Sequence, residues 1–525
     1  MTLGARRLAP GFVAMLLAFS GVSGTETVEA AISWKRVACS LPKPQIQRIY
    51  DGYHPQRSGE VQFIPRFPNF VGAYYSHSGT WPYLQEVPLL LYGPGHIPGV
   101  GSVKRPATIA DVAATYADIL DFEFVAPDGR PLTEAIDPAA PAKPKLIFTL
   151  VWDGGGRNVL RRYPKAWPNL KRLIRQGAWF ENATVGSSPS VTPAIHTSLG
   201  TGAFPRTHGI VDLRFRSGGG PPKSRKRIES LAVPTLADEY DLANANTPVI
   251  GMVGAEGTLG MIGHGSSWDG GDKDIAAAQR AGRWGLSGYN AQFFNFPGYV
   301  PGLPGYKKVK PAADRQDGRV DGRWFELRLD SPDSLTFTPA YSRYQTGVIE
   351  ELIKREGFGA DDITDMLFVN YKVIDKVGHR YSFPSRQMSA VVRGVDQALG
   401  DLVKILDRGV GQGQWLLALT ADHGFTPKAQ TTGAIVIDNQ ELARDLKSTF
   451  RGIQSPRPTQ TWVNEAELKR GGNSLGDVAR YLMSYTRAQN TRNPSTLPPG
   501  KGGERLFAAA FPSSVLSGLP CISRS

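Results

Sequence analysis

The chain has 525 residues, of which 41% are hydrophobic and 20% charged, so it can bury a large core and is neither a disordered nor a fibrous sequence. Sixty Lys and Arg against 47 Asp and Glu give a net charge of +13, which suits anionic ligands such as phosphate esters, anionic polymers or a membrane surface. Two cysteines, Cys39 and Cys521, exclude Cys-rich zinc modules and iron–sulfur clusters.

Arg6 and Arg7 precede an apolar stretch from Leu8 to Val22, and Val28-Glu29-Ala30 places small residues at a cleavage site. Residues 1–30 therefore read as a secretory signal peptide cleaved after Ala30, with a secreted or extracytoplasmic destination. Pro10, Gly11, Gly21 and Gly24 leave too short a run for a membrane anchor, and no later segment reads as a transmembrane span. Export permits a disulfide, so the two cysteines are a candidate pair.

Residues 31–136 mix short strands, at Glu60 to Pro65 and Val87 to Tyr92, with Pro/Gly turns and a helical pattern from Ile109 to Leu120. The Pro/Ala-rich stretch 137–144 has the periodicity of no element and reads as a linker. From Lys145 the pattern changes to a continuous apolar run ending at Trp152, as expected of a strand buried on both faces. Helical patterns at 168–176, 341–354 and 388–406 alternate with apolar strands at 248–253, 366–370 and 415–420. This alternation predicts one α/β catalytic domain over 145–525, a doubly wound α/β/α sandwich around a mostly parallel sheet, with ligands at the carboxyl ends of the strands. The Gly-, Pro- and aromatic-rich stretch 284–326 shows no period and reads as a long surface excursion or lid.

Three of the strands run into acidic or acidic/His groups: Asp153-Gly154-Gly155, Asp375 with His379, and Asp422-His423-Gly424. An Asp after a strand is commonly a cap or turn former. Carboxylate and imidazole delivered from several strand ends can also converge as metal ligands. Between the first two lies Thr192-Pro193 at the start of a short helical run. A Thr there can be an N-cap, or a nucleophile whose alkoxide a metal ion and the helix dipole stabilise.

The ordered set Asp153-Gly-Gly, Thr192-Pro with His196 and Thr201-Gly202, Pro205-x-x-His208-Gly209-Ile210, Asp375-x-x-x-His379 and Asp422-His423-Gly424 resembles the type I phosphodiesterase/nucleotide pyrophosphatase branch of the alkaline phosphatase superfamily. The resemblance implies two divalent metal ions, zinc, one held by Asp153, Thr192, Asp422 and His423 and the other by Asp375, His379 and a further His late in the chain. No histidine follows His423 here. Ser76-His77-Ser78-Gly79 and the strand ending Tyr92-Gly93-Pro94-Gly95 resemble that late family segment but stand near the front. The implied arrangement is a circular permutation: residues 31–136 are the last part of the family fold, His77 is the missing ligand, and a Cys39–Cys521 disulfide re-closes the ancestral connection. His54, His96, His196, His208 and His264 read as structural.

The resemblance further implies that Thr192 attacks phosphorus to give a phosphothreonine, with two ions ~4 Å apart clamping the attacking and leaving oxygens. Backbone amides after Thr192 are expected to hold a nonbridging oxygen. Arg214 and Arg216 are candidate phosphate contacts. Relatives place an Asn shortly after the His-Gly-Ile stretch; this chain has Asp212-Leu213-Arg214. The substrate expected is a phosphate ester, and no specific nucleic-acid-binding module is legible. A phosphomonoesterase with the same site, or a secreted binding protein without turnover, are the alternatives. A sulfatase is disfavoured because neither cysteine is near the site.

Overall fold

The computed structural model describes residues 32–523 apart from 73, 141, 219 and 225–227; the signal-peptide reading lies outside the described residues. Two short helices, α1 (Trp34–Cys39) and α2 (Lys43–Gly52), lead into strand β1 (Val61–Pro65). Next come β2 (Leu89–Tyr92), β3 (Gly101–Thr108) and α3 (Asp111–Ile119), and then β4 (Leu146–Trp152), α4 (Pro168–Ile174), β5 (Ala178–Thr184) and α5 (Thr192–Thr201). The chain continues through α6 (Leu236–Ala243), β6 (Ile250–Ala255), β7 (Ile275–Arg280), β8 (Arg283–Trp284), α7 (Gly305–Arg315) and α8 (Pro339–Glu356). After β9 (Asp365–Tyr371), α9 (Val373–Tyr381), α10 (Arg386–Leu406) and β10 (Trp415–Thr420), the C-terminal part contributes β11 (Ile453–Pro456), β12 (Gln460–Val463), α11 (Leu475–Ser484) and β13 (Phe507–Pro512).

The main sheet has nine strands in the order β8-β7-β6-β9-β4-β10-β2-β5-β3. The run from β7 to β10 is parallel, whereas β2 lies antiparallel between β10 and β5. Side chains along β4 alternate between two cores, as the period of a strand requires. Phe148, Leu150 and Trp152 face Leu170, Tyr341 and Leu399 of α4, α8 and α10. Ile147 and Val151 face Val112, Ile195 and Leu236 of α3, α5 and α6. The expected α/β/α sandwich is what forms.

Register sets the site. Tyr371 of β9 pairs with Trp152 of β4, and Thr420 of β10 with Val151, so the three central strands end level with one another. Leu89 of β2 pairs antiparallel with Thr420. The segment preceding β2, which carries His77, therefore enters at the same edge.

The aperiodic reading of 284–326 needs correction, because α7 fills eleven of those residues. Pro311 inside the helix and three nearby lysines obscure the pattern, while Val309 and Ala313, one turn apart, are its buried face. A second sheet, β11-β12-β1-β13, was also not foreseen; it places the early strand β1 antiparallel between β12 and β13. Cys39 and Cys521 form a disulfide there, with Cα atoms 5.8 Å apart.

Candidate metal centre and nucleophile

Short connections hold the three acidic groups against one another. Asp153, directly after β4, donates its N–H to Tyr371 O at 3.1 Å and accepts from Asp375 N–H at 3.0 Å. Gly154 adopts a φ of +75°, suited to glycine, and its N–H donates to Asp422 Oδ1 at 3.0 Å. A Cβ on Gly154 would lie 3.0 Å from Asp375 Cα. Asp375 and His379 stand four residues apart on α9 and hence on one face, with His379 Nε2 3.3 Å from Asp375 Oδ1.

His77 is delivered from the other end of the sequence. Gly424 N–H donates to Leu84 O at 2.8 Å, Ser190 Oγ donates to His77 O at 2.7 Å, and Thr426 Oγ1 donates to Ser76 O. His77 Nε2 is brought to 3.5 Å from Asp375 Oδ1, and its ring stacks on that of His423 with centroids 3.5 Å apart.

The hydrogen bonds of these histidines fix their tautomers. Nδ1 of His77 lies 2.8 Å from Ser190 O, that of His379 2.9 Å from Tyr75 O, and that of His423 2.9 Å from Gly424 O. A carbonyl oxygen only accepts, so each Nδ1 carries a proton; burial holds His77 and His423 below the usual imidazole range and leaves their Nε2 lone pairs facing the carboxylates, whereas at His379 burial is outweighed by Asp375, which raises the pKa. His423 Nε2, Asp375 Oδ1 and Asp422 Oδ2 are buried with no hydrogen-bond partner. Buried atoms of this kind, on imidazole and carboxylate groups, are the donor set a divalent metal ion takes. Two groupings fit one: His77, Asp375 and His379, and Asp153 and Asp375 with His423. Asp153 and Asp422 also lie together with His196, yet both nitrogens of His196 are occupied, one donating to Thr192 O at 2.8 Å and one accepting from Asn370 Nδ2 at 3.0 Å. His208 is likewise used locally, accepting from Ile210 N–H and bonding Ser198 Oγ.

Charge in the cluster is unevenly distributed. Burial, helped by repulsion from Asp422, pushes the Asp153 carboxyl up to about 6, and burial takes Asp422 to about 6 as well. Burial also opposes ionisation of Asp375, but Lys372 and His379 outweigh it and hold this carboxyl well below the usual range. Burial pushes His423 down to about 4, which keeps its imidazole neutral.

Lys372, the residue after β9, is the participant that sequence reading missed. Its Nζ lies 2.8 Å from Asp153 Oδ1, 2.9 Å from Asp375 Oδ2 and 2.8 Å from Thr192 Oγ1. Burial disfavours its charge, but Asp153, Asp375 and Asp422 outweigh burial and raise its pKa above the usual lysine value. The signal available was its place, three residues before Asp375 in the same motif. A lysine after a strand ordinarily reads as solvated.

Thr192 begins α5, with Val191 as the cap residue and no side-chain capping bond. The geometry around it bears on two expectations. Pro193 has no N–H, and the amides of Ala194 and Ile195 already donate to Val191 O at 3.0 and 3.1 Å, so the amides after Thr192 are not free to hold an oxyanion. The guanidinium of Arg216 is committed to Glu60, at 2.6 Å, and to Gln454 and Val463 O, while Arg214 is exposed on a short strand. Neither is joined to the cluster by a hydrogen bond or ion pair; the cation there is Lys372.

Comparison with known proteins matches residues 147–481 to the family described as type I phosphodiesterase / nucleotide pyrophosphatase. The chain is 25% identical over 415 residues to alkaline phosphatase PafA of Elizabethkingia meningoseptica, covering 68% of this chain and 74% of that protein. It is 28% identical over 422 residues to alkaline phosphatase PhoD of Zymomonas mobilis subsp. mobilis, covering 73% and 70%. The crystal structure of wild-type PafA shares the fold, with a TM-score of 0.53 at 19% identity over 71% of this chain and 85% of that one. The chain belongs to the type I phosphodiesterase/nucleotide pyrophosphatase family of the alkaline phosphatase superfamily and is a phosphoric ester hydrolase.

Proposed function

We propose that the chain is an exported phosphodiesterase of the nucleotide pyrophosphatase type that works through a phosphothreonine at Thr192. The observation that carries this is Lys372 Nζ, which lies within hydrogen-bonding distance of Thr192 Oγ1, Asp153 and Asp375 at once, beside the Nε2 atoms of His77, His379 and His423 that face the same carboxylates. Asp153, Thr192, Asp422 and His423 would hold one divalent ion, zinc, and Asp375, His379 and His77 a second. When bound, the ions supply Lewis-acid stabilisation to the attacking and leaving oxygens of an in-line displacement.

Thr192 gives up its hydroxyl proton to solvent and its Oγ forms the new bond to phosphorus while the bond to one ester oxygen breaks; the electron pair leaves with that alkoxide, which is protonated from water, and the other ester group stays on the phosphorus. Lys372, already on Thr192 Oγ1, keeps that oxygen poor in proton and then donates to a nonbridging oxygen of the transferred group. Water next attacks phosphorus, the bond to Thr192 breaks, and the threonine takes back a proton. The product of a diester is a monoester. The part 31–136 reads as a permuted end of the family fold; the family match beginning only at residue 147 and the proximity of His77 to Asp375 support this. The disulfide supports an oxidising compartment, and no helix among the described residues is long and apolar enough to cross a membrane.

A diester presents a single negative charge on its nonbridging oxygens, which one lysine can match. Arg216 is occupied elsewhere, and this favours a diester over the doubly charged monoester. The relatives named as alkaline phosphatases support the monoester reading instead. Rates on bis-p-nitrophenyl phosphate and p-nitrophenyl phosphate, measured side by side, separate the two, and a monoester preference overturns the first. Thr192→Ala is expected to abolish turnover with the fold and metal content intact. Acid-quenched wild-type enzyme is expected to carry the substrate's phosphorus, with its retained ester group, on the Thr192 peptide; an unchanged rate in the variant, or no labelled peptide, contradicts the mechanism.

A further inference from the structure

At the end of the main sheet opposite the catalytic centre, three carboxylates gather without an ion-pair partner among the described residues. Asp241 is in the last turn of α6, and Asp272 and Asp274 belong to the loop that leads into β7. Because β7 runs parallel to β6 and β9, its first residues lie at the end of the sheet away from Asp153 and Asp375. One carboxylate oxygen from each of the three lies within 4.8 Å of the others.

What distinguishes this group from a solvated acidic patch is burial without partners. Asp241 is 5% exposed and Asp274 8%. Asp241 Oδ1 is buried and accepts no hydrogen bond. Asn246, whose Nδ2 donates to Gly270 O at 3.0 Å in the same loop, leaves its Oδ1 buried without a donor. The cations nearby are used elsewhere: Lys273 Nζ donates to Ala291 O at 3.3 Å, and His264 bonds Asp238 through Nδ1 at 2.9 Å and Leu231 O through Nε2 at 3.2 Å. Burial and mutual repulsion push the Asp241 carboxyl up to about 7 and Asp274 well above the usual range, as expected of acids that lack the charge they were arranged around.

We propose that Asp241, Asp272 and Asp274 form a calcium site that ties the 265–274 loop to α6. An all-oxygen set with three carboxylates, on segments that are not rigidly octahedral, suits calcium better than magnesium, and the lack of imidazole or thiolate disfavours zinc. The site is structural and separate from the hydrolytic chemistry.

The test uses the full chain loaded with saturating zinc, so that the catalytic ligands are occupied. Terbium added to it is expected to bind once per chain with luminescence excited through tryptophan, Trp268 being in the same loop, and calcium alone is expected to displace it and to raise the unfolding temperature. Asp272 is exposed, so Asp272→Asn is expected to fold and to lose both responses; Asp274→Asn serves as the second variant, with the fold of each checked by circular dichroism. Absence of terbium and calcium binding in the wild type, or equal binding in a folded variant, overturns the site.

Discussion

Lys372 is where the charge balance of the centre is set. Without it, Asp153, Asp375 and Asp422 would face one another with His379, on the rim beside Asp375, as the one imidazole of the cluster whose pKa is raised. The ammonium of Lys372 reaches two of the carboxylates and Thr192 Oγ1 at once. Replacement by methionine keeps the aliphatic stem and removes the charge. Lys372→Met is expected to lower kcat on a diester about 10²- to 10³-fold, the effect of deleting one donor aimed at the transition state, with a smaller change in KM and with metal content retained. Lys372→Arg is not expected to restore the rate, because a planar fork does not occupy the position of a compact ammonium. Equal losses in kcat and in metal content would assign the lysine a structural role only. The candidate ligands Asp153, Asp375, His379, Asp422 and His423 were legible in the sequence because they follow apolar strands and their order matches a family, and His77 only through its resemblance to the family's late segment. Lys372 and Asn370, which joins Asp153 to His196, were not, since neither residue type advertises an inward direction at a strand end.

At the level of elements, the centre depends on how closely the connections after β4 and β10 approach. Gly156 has an ordinary φ of −58°, so its requirement is space: a Cβ there would lie 2.3 Å from Gly424 Cα. Gly424 in turn faces Tyr83 O, where a Cβ would come within 2.0 Å. Three segments distant in sequence thus meet backbone to backbone beside the ligands. Gly156→Ala is expected to force them apart, destabilising the fold by about 1–3 kcal/mol and loosening the metal site. Urea unfolding and metal content after dialysis measure the two effects, and full stability with full metal would contradict the argument. The strands and long helices were readable because burial on both faces writes continuous apolar runs and amphipathic helices repeat every three to four residues. The helix α7 escaped because Pro311 interrupts a short pattern, and the second sheet because its strands are short and β1 finds its partners roughly four hundred residues away.

For the whole molecule, the segments around Cys39 and Cys521 behave as neighbours that happen to lack a peptide link. Besides the Cys39–Cys521 disulfide, Ile46 and Ile49 of α2 pack with Phe511, Leu516 and Leu519, and Ser523 N–H donates to Gln47 Oε1 at 2.8 Å. A crosslink spanning 482 positions removes much of the freedom of the unfolded chain, on the order of 5 kcal/mol on a chain-entropy account. Replacing both cysteines by serine in the natural order is therefore expected to lower stability by several kcal/mol, read as an earlier urea midpoint with a steeper slope from the more expanded unfolded chain. A reordered chain that begins at residue 145, joins Cys521 to Cys39 through a short linker and ends at residue 136 provides the counterpart. If the order is a permutation of the family's, this chain keeps phosphodiester hydrolysis, because His77 still reaches Asp375 and the cut falls in a segment without secondary structure. There the same pair of replacements is expected to cost little, since the new peptide link already closes the loop that the disulfide closes in the natural order. A reordered chain that folds but depends on the disulfide as strongly as the natural one would separate the crosslink from the connection it is inferred to replace.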